Sequence, residues 1–290
     1  MNTIWSECVQ GAKTLYYSRK LRFGDLFAEQ FKKLLKLDGR RKLKILEIGC
    51  GPGALAGELR RWYPKADICG LDRDSNFINF ARAHEEGINF IEGDATALPF
   101  NDDTFDVTIS YTVSEHIEPD KFYGEQLRVL KQGGTCIVLS TRKTVYVNAP
   151  CLDEQESERI FWEKVKNCDD TMEKYGIGRY HMSEAELPAA MEKYGFKNIE
   201  TGFAAVALTP DNPQIPEELA CNMINEQRQT ALDALSSVMN SMPGQITAAE
   251  VEEMVGITNK KYDARIAQYI RGEKQWDTAV SVIMSVRGTK

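Results

Sequence analysis

The 290-residue chain lacks the features that mark membrane, secreted or nucleic-acid-binding proteins. No apolar run is long enough for a signal segment or a membrane span. Acidic residues outnumber basic ones by 43 to 36, and the resulting net charge of −7 argues against the basic surface that nucleic acids require. The seven cysteines form no C-x-x-C pair, which is typical of free thiols in a reducing compartment. We expect a cytoplasmic protein with no nucleic-acid or membrane partner.

Glycine, by contrast, is concentrated at one place, the segment KILEIGCGPG of residues 44–53. The apolar run that opens this segment predicts a buried parallel strand, and the residues after it have helical composition. Glycines between a strand and a helix let the backbone approach a ligand closely, beside the unpaired N–H groups of the helix N-terminus. Gly49, Gly51 and Ala54 also fit the dinucleotide-binding pattern, so this segment alone leaves the ligand open.

Strands and helices alternate after this segment. Further strands are predicted at residues 66–72, 87–95, 104–113 and 135–141, with helices at 75–84 and 119–130. This order predicts a doubly wound, mostly parallel α/β sheet, which binds its ligand at the carboxyl ends of the strands. Glu47, Asp72 and Asp94 all fall at or near such ends. A carboxylate can accept hydrogen bonds from both hydroxyls of a ribose, and Asp72 is placed to do so. Asp94 is placed to accept a hydrogen bond from an adenine amine. The alternative for each aspartate is a helix N-cap.

Five segments together resemble the class I S-adenosylmethionine-dependent methyltransferases, in particular the small-molecule branch that includes the quinone-biosynthesis enzymes. They are EIGCGPG (47–53), GLD (70–72), GDATALPF (93–100), FDVTISYTVSEHI (105–117) and LRVLKQGG (127–134). The resemblance implies a seven-stranded Rossmann-like sheet with an antiparallel last strand, and S-adenosylmethionine as cofactor. It also implies methyl transfer by in-line displacement to an oxygen, nitrogen or carbon atom of a small molecule.

The cofactor site is expected to be built from twelve residues. They are Tyr17, Arg22, Glu47, Gly49, Cys50, Gly51, Asp72, Arg73, Asp94, Ala95, Ser110 and Tyr111. By resemblance, Glu47 and the glycines would line the methionine part, Asp72 would hold the ribose, and Asp94 with Ala95 the adenine. Ser110 would face the cofactor's amino group through its backbone. Tyr17 and Arg22, together with Arg19, are also placed to fold over a ligand carboxylate.

Two insertions divide the chain into a core and a cover. The predicted segments are a helical cap (1–43), the core (44–141), a lid insertion (142–182), the continuing core (183–208), a helical lid insertion (209–275) and the last strand (276–290). We interpret the insertions as a lid over the acceptor, with Tyr146, Trp162 and Tyr180 as substrate contacts and Tyr175 as a further aromatic. Three helices are expected in the second insertion. A homodimer interface is the competing interpretation.

A general base for an oxygen or carbon acceptor would come from the three histidines. His116, which follows the fourth strand, is the first candidate, and His181 in the lid is the second. No group of histidines and cysteines has metal-ligand spacing, so no metal is expected. The acidic lid disfavours a polyanionic acceptor, which favours a small molecule. Two alternatives remain: a protein that binds the cofactor as a sensor or partner subunit without transferring methyl, and a protein methyltransferase.

Overall fold

The computed structural model describes residues 5–168 and 176–290, so that the predicted lid aromatic Tyr175 lies outside the described residues. The strands are β1 (Lys44–Ile48), β2 (Asp67–Asp72), β3 (Asn89–Glu92), β4 (Phe105–Tyr111), β5 (Leu130–Ala149), β6 (Lys197–Leu208) and β7 (Thr278–Thr289). Within the described residues these seven strands form one sheet in the order β3-β2-β1-β4-β5-β7-β6. Strands β1 to β5 pair in parallel, and β7 lies antiparallel between β5 and β6. The doubly wound sheet and its antiparallel last strand are confirmed.

Helices cover both faces of this sheet. They are α1 (Ala12–Phe23), α2 (Ala28–Leu35), α3 (Ala54–Trp62), α4 (Ser75–His84), α5 (Pro119–Val129), α6 (Glu156–Lys166), α7 (Glu186–Lys193), α8 (Glu217–Ser241) and α9 (Ala248–Ile270). A π-helical turn at Trp5–Val9 precedes them, and a 3₁₀ turn at Ser114–His116 follows β4. None of the described helices combines the length and the apolar composition needed to cross a bilayer.

The apolar run of β1 is buried on both sides. Ile45 lies in the hydrophobic cluster that contains Phe31 of α2, whereas Leu46 and Ile48 lie in a second cluster with Phe122 of α5. Successive side chains of a strand point to opposite faces, so a central strand covered by helices on both sides needs apolar residues at consecutive positions. This requirement explains the short apolar run that precedes the glycines.

Three element boundaries differ from those that the sequence predicts. Strand β5 continues past Thr141 to Ala149, because the long partner strand β7 supplies backbone hydrogen bonds to its extension. The sequence YGF at 194–196 predicts the start of a sixth strand, but β6 begins at Lys197, since Gly195 turns the chain with a φ of +99°. In the second insertion α9 is one continuous helix from Ala248 to Ile270, where two separate helices are predicted.

Helices α6, α8 and α9 form a layer of their own, which we call the lid layer. Its hydrophobic cluster is centred on Phe161, Leu235, Val238, Ile246 and Met254. The layer is fixed to the sheet by Arg265 of α9, which is only 1% exposed and forms ion pairs with Asp211 at 2.7 Å and Asp277 at 2.6 Å. Asp211 follows β6 and Asp277 precedes β7. Because a buried charge without its partner is strongly destabilising, this triad holds the lid layer in one position.

A substitution at Gly53, the N-cap of α3, tests how tightly the glycine loop is packed. The φ of Gly53 is +87°, and an added Cβ would lie 2.9 Å from both Ala81 Cβ and the Phe90 ring. Gly53→Ala should therefore lower the free energy of unfolding, measured with urea, by about 1–3 kcal/mol. The control is Gly256→Ala inside α9, where no atom lies within 4 Å of the added Cβ. That change should raise stability by up to about 1 kcal/mol. Equal effects of the two substitutions would contradict the packing described.

Candidate functional site

A cavity of about 1030 Å³ lies at the carboxyl ends of β1, β2 and β4. Its floor is the loop between β1 and α3, which is tied to the end of β2. The Gly49 and Cys50 N–H groups donate to Leu71 O at 2.7 and 3.0 Å, and the Gly51 N–H donates to Asp72 Oδ2 at 2.8 Å. The loop therefore belongs structurally to both strands that carry acids at their ends.

Gly51 leaves room for a ligand above this loop. It has a φ of +52°, and an added Cβ would meet only Leu15 Cδ2, at 3.5 Å. Gly49 is different, because an added Cβ there would lie 2.4 Å from the side chain of Val113. The first glycine is thus needed for packing, and Gly51 keeps the backbone open towards the cavity.

Asp72 ends β2 with its carboxylate beside the loop. Besides the Gly51 hydrogen bond, its Oδ1 accepts from the Asp74 N–H at 2.9 Å. Burial raises the pKa of Asp72 from 3.8 to about 6, against the lowering effect of these two hydrogen bonds. Each carboxylate oxygen has a second lone pair, so the group retains acceptor capacity for a vicinal diol.

Glu47 carries the least satisfied carboxylate of the site. Its side chain is 2% exposed, and Oε2 has no hydrogen-bond partner among the described residues. Burial raises its pKa well above the ordinary value, and the neighbouring charge of Asp72 raises it further. A buried polar atom without a partner costs free energy, and a cationic ligand group in the cavity would supply the missing interaction.

Helix α1 brings positive charge to the opposite wall. Leu15, Ser18, Arg19 and Arg22 line the cavity at helical spacing. The Arg19 guanidinium lies 4.1 Å from the centre of the Tyr111 ring and donates to Thr112 Oγ1 at 3.0 Å. Acidic and basic groups thus line the same cavity, an arrangement that suits a ligand carrying both an ammonium and a carboxylate.

Most of the predicted site residues meet in this cavity. Those that line it are Arg22, Glu47, Gly49, Cys50, Gly51, Asp72, Arg73, Asp94, Ala95, Tyr111, His116, Tyr146, Tyr180 and His181. Three do not. Tyr17 is 50% exposed and lies off the cavity face of α1, the Ser110 side chain is fully buried within the sheet, and Trp162 packs in the lid layer. The side chains of Tyr17 and Trp162 therefore do not reach the cavity, whereas the contact predicted for Ser110 is through its backbone and stays a prediction.

The far end of the cavity contains residues that sequence reasoning missed. Helix α8 contributes Glu226, Gln227 and Thr230, and α9 contributes Tyr262. Burial, followed by the charge of Glu226, raises the pKa of Tyr262 to about 12. Trp5 also lines the cavity. The apolar stripe of α8 indicated its packing face and gave no sign that the polar residues beside that stripe face a cavity.

Metal-binding geometry is absent from the described parts of the chain: no three His, Cys, Asp or Glu side chains are grouped to hold an ion.

Comparison with known proteins identifies the central part of the chain. Residues 46–138 match a family described as "Methyltransferase domain". The chain is 39% identical over 110 residues to a fatty-acid O-methyltransferase of Mycolicibacterium smegmatis, covering 37% of this chain and 39% of that protein. It is 38% identical over 101 residues to a demethylmenaquinone methyltransferase of Thermus thermophilus, covering 33% and 46% of the two chains. The matches thus span less than half the length of these curated relatives.

One solved structure shows the same fold across nearly the whole chain. Phosphoethanolamine N-methyltransferase 2 of Haemonchus contortus, in complex with S-adenosyl-L-methionine, superposes with a TM-score of 0.50 at 18% identity. The match covers 98% of this chain and 59% of that one.

The burial of Asp72 predicts a specific pH dependence of stability. Its folded pKa of about 6 exceeds the ordinary 3.8, so the wild type should lose stability as the pH rises through that range and retain it fully below. Asp72→Asn cannot ionise. The unfolding free energy of the Asn variant minus that of the wild type should therefore increase by about 1–3 kcal/mol between pH 4 and pH 7, measured with urea. A pH-independent difference would show that Asp72 ionises as it does in the unfolded chain.

Proposed function

The chain carries a class I S-adenosylmethionine-dependent methyltransferase domain, and we propose that the protein transfers a methyl group from this cofactor to a small-molecule acceptor. The juxtaposition of the Glu47 carboxylate, the open Gly51 backbone and the Asp72 carboxylate in one cavity supports this function most directly. S-adenosylmethionine combines an ammonium, a vicinal diol and an adenine, and each has a chemically matched group in the cavity.

The residues present fit this cofactor. Glu47 would accept from its ammonium, and Arg19 with Arg22 would bind its carboxylate. Asp72 would accept from the ribose hydroxyls. Asp94 is exposed at the end of β3, where Oδ1 accepts from the Thr96 N–H and hydroxyl, both at 2.8 Å. Its remaining acceptor capacity and the buried Ala95 would serve the adenine.

Catalysis by these residues would consist mainly of alignment. When bound, the cofactor supplies an electrophilic methyl group on a sulfonium, so that the protein has to orient an acceptor atom in line with it and exclude water. The cavity extends from the strand ends to the lid layer, whose helices α8 and α9 line its far end. An oxygen or carbon acceptor would also need a group that takes up a proton, and His181 lines the cavity as one candidate.

The size of the cavity, about 1030 Å³, favours a small acceptor over a protein. Its far end presents amide and hydroxyl groups from Gln227, Thr230 and Tyr262 beside the carboxylate of Glu226. The named relatives act on fatty acids and demethylmenaquinone, whereas this chain has its own lid layer outside the matched residues. We therefore propose an acceptor that offers hydrogen-bonding groups to the lid. We further propose a cytoplasmic location, in keeping with the free cysteines. A homodimer stays a prediction.

Methyl transfer is tested by incubating the protein with cofactor labelled in its methyl group and with fractionated small metabolites. Incorporation of label into one fraction, accompanied by S-adenosylhomocysteine, is the expected result. Cofactor binding with no transfer to any fraction would favour a sensor or partner subunit. Label on protein alone would favour a protein methyltransferase.

Substitutions at Glu47 and Asp72 should separate the parts of the cofactor. Asp72→Ala removes the ribose acceptor, so binding of both S-adenosylmethionine and 5′-methylthioadenosine should weaken by about 1.5–3 kcal/mol. Glu47→Gln should weaken only S-adenosylmethionine by a similar amount, because methylthioadenosine has no ammonium. Isothermal titration calorimetry measures the affinities of both variants and of the wild type for the two ligands.

Asp67→Ala is the matched control, since Asp67 is exposed at the opposite end of the same strand. Its affinities should equal those of the wild type. If Glu47→Gln weakened methylthioadenosine as much as S-adenosylmethionine, the assignment of Glu47 to the ammonium would be wrong.

A further inference from the structure

The loop of residues 176–181 covers the cavity and is fastened to the segment that follows β4. The Gly178 N–H donates to His116 Nδ1 at 2.8 Å, and the Tyr180 N–H donates to Glu115 O at 2.9 Å. Every residue of this loop lines the cavity. Of these two hydrogen bonds, one depends on a side chain and the other on backbone alone.

His116 also contacts a second part of the cover. The Trp5 ring meets the His116 ring edge-on, with centroids 4.9 Å apart. The turn that carries Trp5 is held to Asp74 by Ser6, through two hydrogen bonds of 2.9 Å, and Ser237 of α8 donates to Cys8 O at 3.0 Å. His116 thus lies where the 176–181 loop, the Trp5–Val9 turn and the strand ends meet.

The direction of the Gly178 hydrogen bond limits the chemistry of His116. An imidazole nitrogen that accepts from an N–H is unprotonated, so the proton of the neutral ring is on Nε2. The ring can take up a further proton only at Nδ1, and doing so would break the bond to Gly178. A general base in this position would release the loop at the moment when the acceptor has to be held.

We propose that His116 is a positioning residue, whose Nδ1 holds the 176–181 loop closed over the acceptor, and is not the general base. The effect on turnover rests on the proposed methyl transfer, whereas the effect on the loop does not. In this assignment the 176–181 loop becomes part of the acceptor-binding surface only while Nδ1 accepts from Gly178.

Two amide substitutions at His116 show which ring nitrogen holds the 176–181 loop. The Asn oxygen of His116→Asn falls near the place of Nδ1, and the Gln group of His116→Gln falls near the place of Nε2. Amide exchange in the 176–181 loop, followed by hydrogen–deuterium exchange mass spectrometry, should become about fivefold faster or more in His116→Ala and His116→Gln. It should stay within about twofold of the wild type in His116→Asn. His84→Ala, in α4, is the control for a histidine elsewhere and should leave the loop unchanged.

Turnover with the labelled cofactor and the methylated metabolite fraction completes the test. His116→Asn should keep kcat within about threefold of the wild type, and His116→Ala should chiefly raise KM for the acceptor fraction. Unchanged loop exchange in His116→Ala, or fast exchange in His116→Asn, would overturn the proposal. A protected loop in His116→Asn together with a kcat lowered far beyond threefold would identify His116 as the base and overturn the proposal as well. If no fraction is methylated, the proposed function fails, while the exchange measurements still decide the role of Nδ1 in holding the loop.

Discussion

Two carboxyl groups held largely out of water at the ends of neighbouring strands are the constraint on which the rest of the site depends. The parallel pairing of β1 with β2 brings Glu47 and Asp72 to the same edge of the sheet. The glycine loop packs against that edge and leaves Glu47 Oε2 without a partner among the described residues. Such an arrangement costs stability in the absence of a ligand, because burial opposes ionisation of both groups. A ligand with an ammonium and a diol would offset that cost, because both groups stabilise the ionised carboxylates. The two acids therefore favour binding of such a ligand.

The other walls of the cavity are formed by α1 and by the lid layer, and they also contribute groups that suit a ligand. Helix α1 adds two arginines, and the lid layer, which has its own hydrophobic cluster, adds polar groups at the far end of the cavity. Because Arg265 locks this layer to the loop after β6 and to the start of β7, its position is set by a buried ion-pair triad as well as by apolar packing. The 176–181 loop and the Trp5–Val9 turn are held instead by hydrogen bonds, the loop to Glu115 and His116 and the turn to Asp74 and Ser237.

Sequence reasoning found the parts of the site that are local in the chain. A strand, a glycine loop and acids at strand ends are short patterns, and the topology of parallel sheets brings such ends together without further information. The side of α1 that faces the cavity was harder to predict. Tyr17 and Arg19 are two positions apart on this helix, yet only Arg19 reaches the cavity. Trp162 looked like a substrate contact but packs within the lid layer. Trp5 and Tyr262 meet the cavity only through the tertiary fold, and no local pattern marks them.

Cofactor binding should favour the ionised forms of Glu47 and Asp72, two acids whose pKa values burial raises. Calorimetry of S-adenosylmethionine binding at pH 6, repeated in buffers of different ionisation enthalpy, measures the protons exchanged on binding. Because burial raises the pKa of both Glu47 and Asp72, and because an ammonium and a diol favour their ionised forms, we predict net proton release at this pH. Binding without proton release, or no binding at all, would contradict the account.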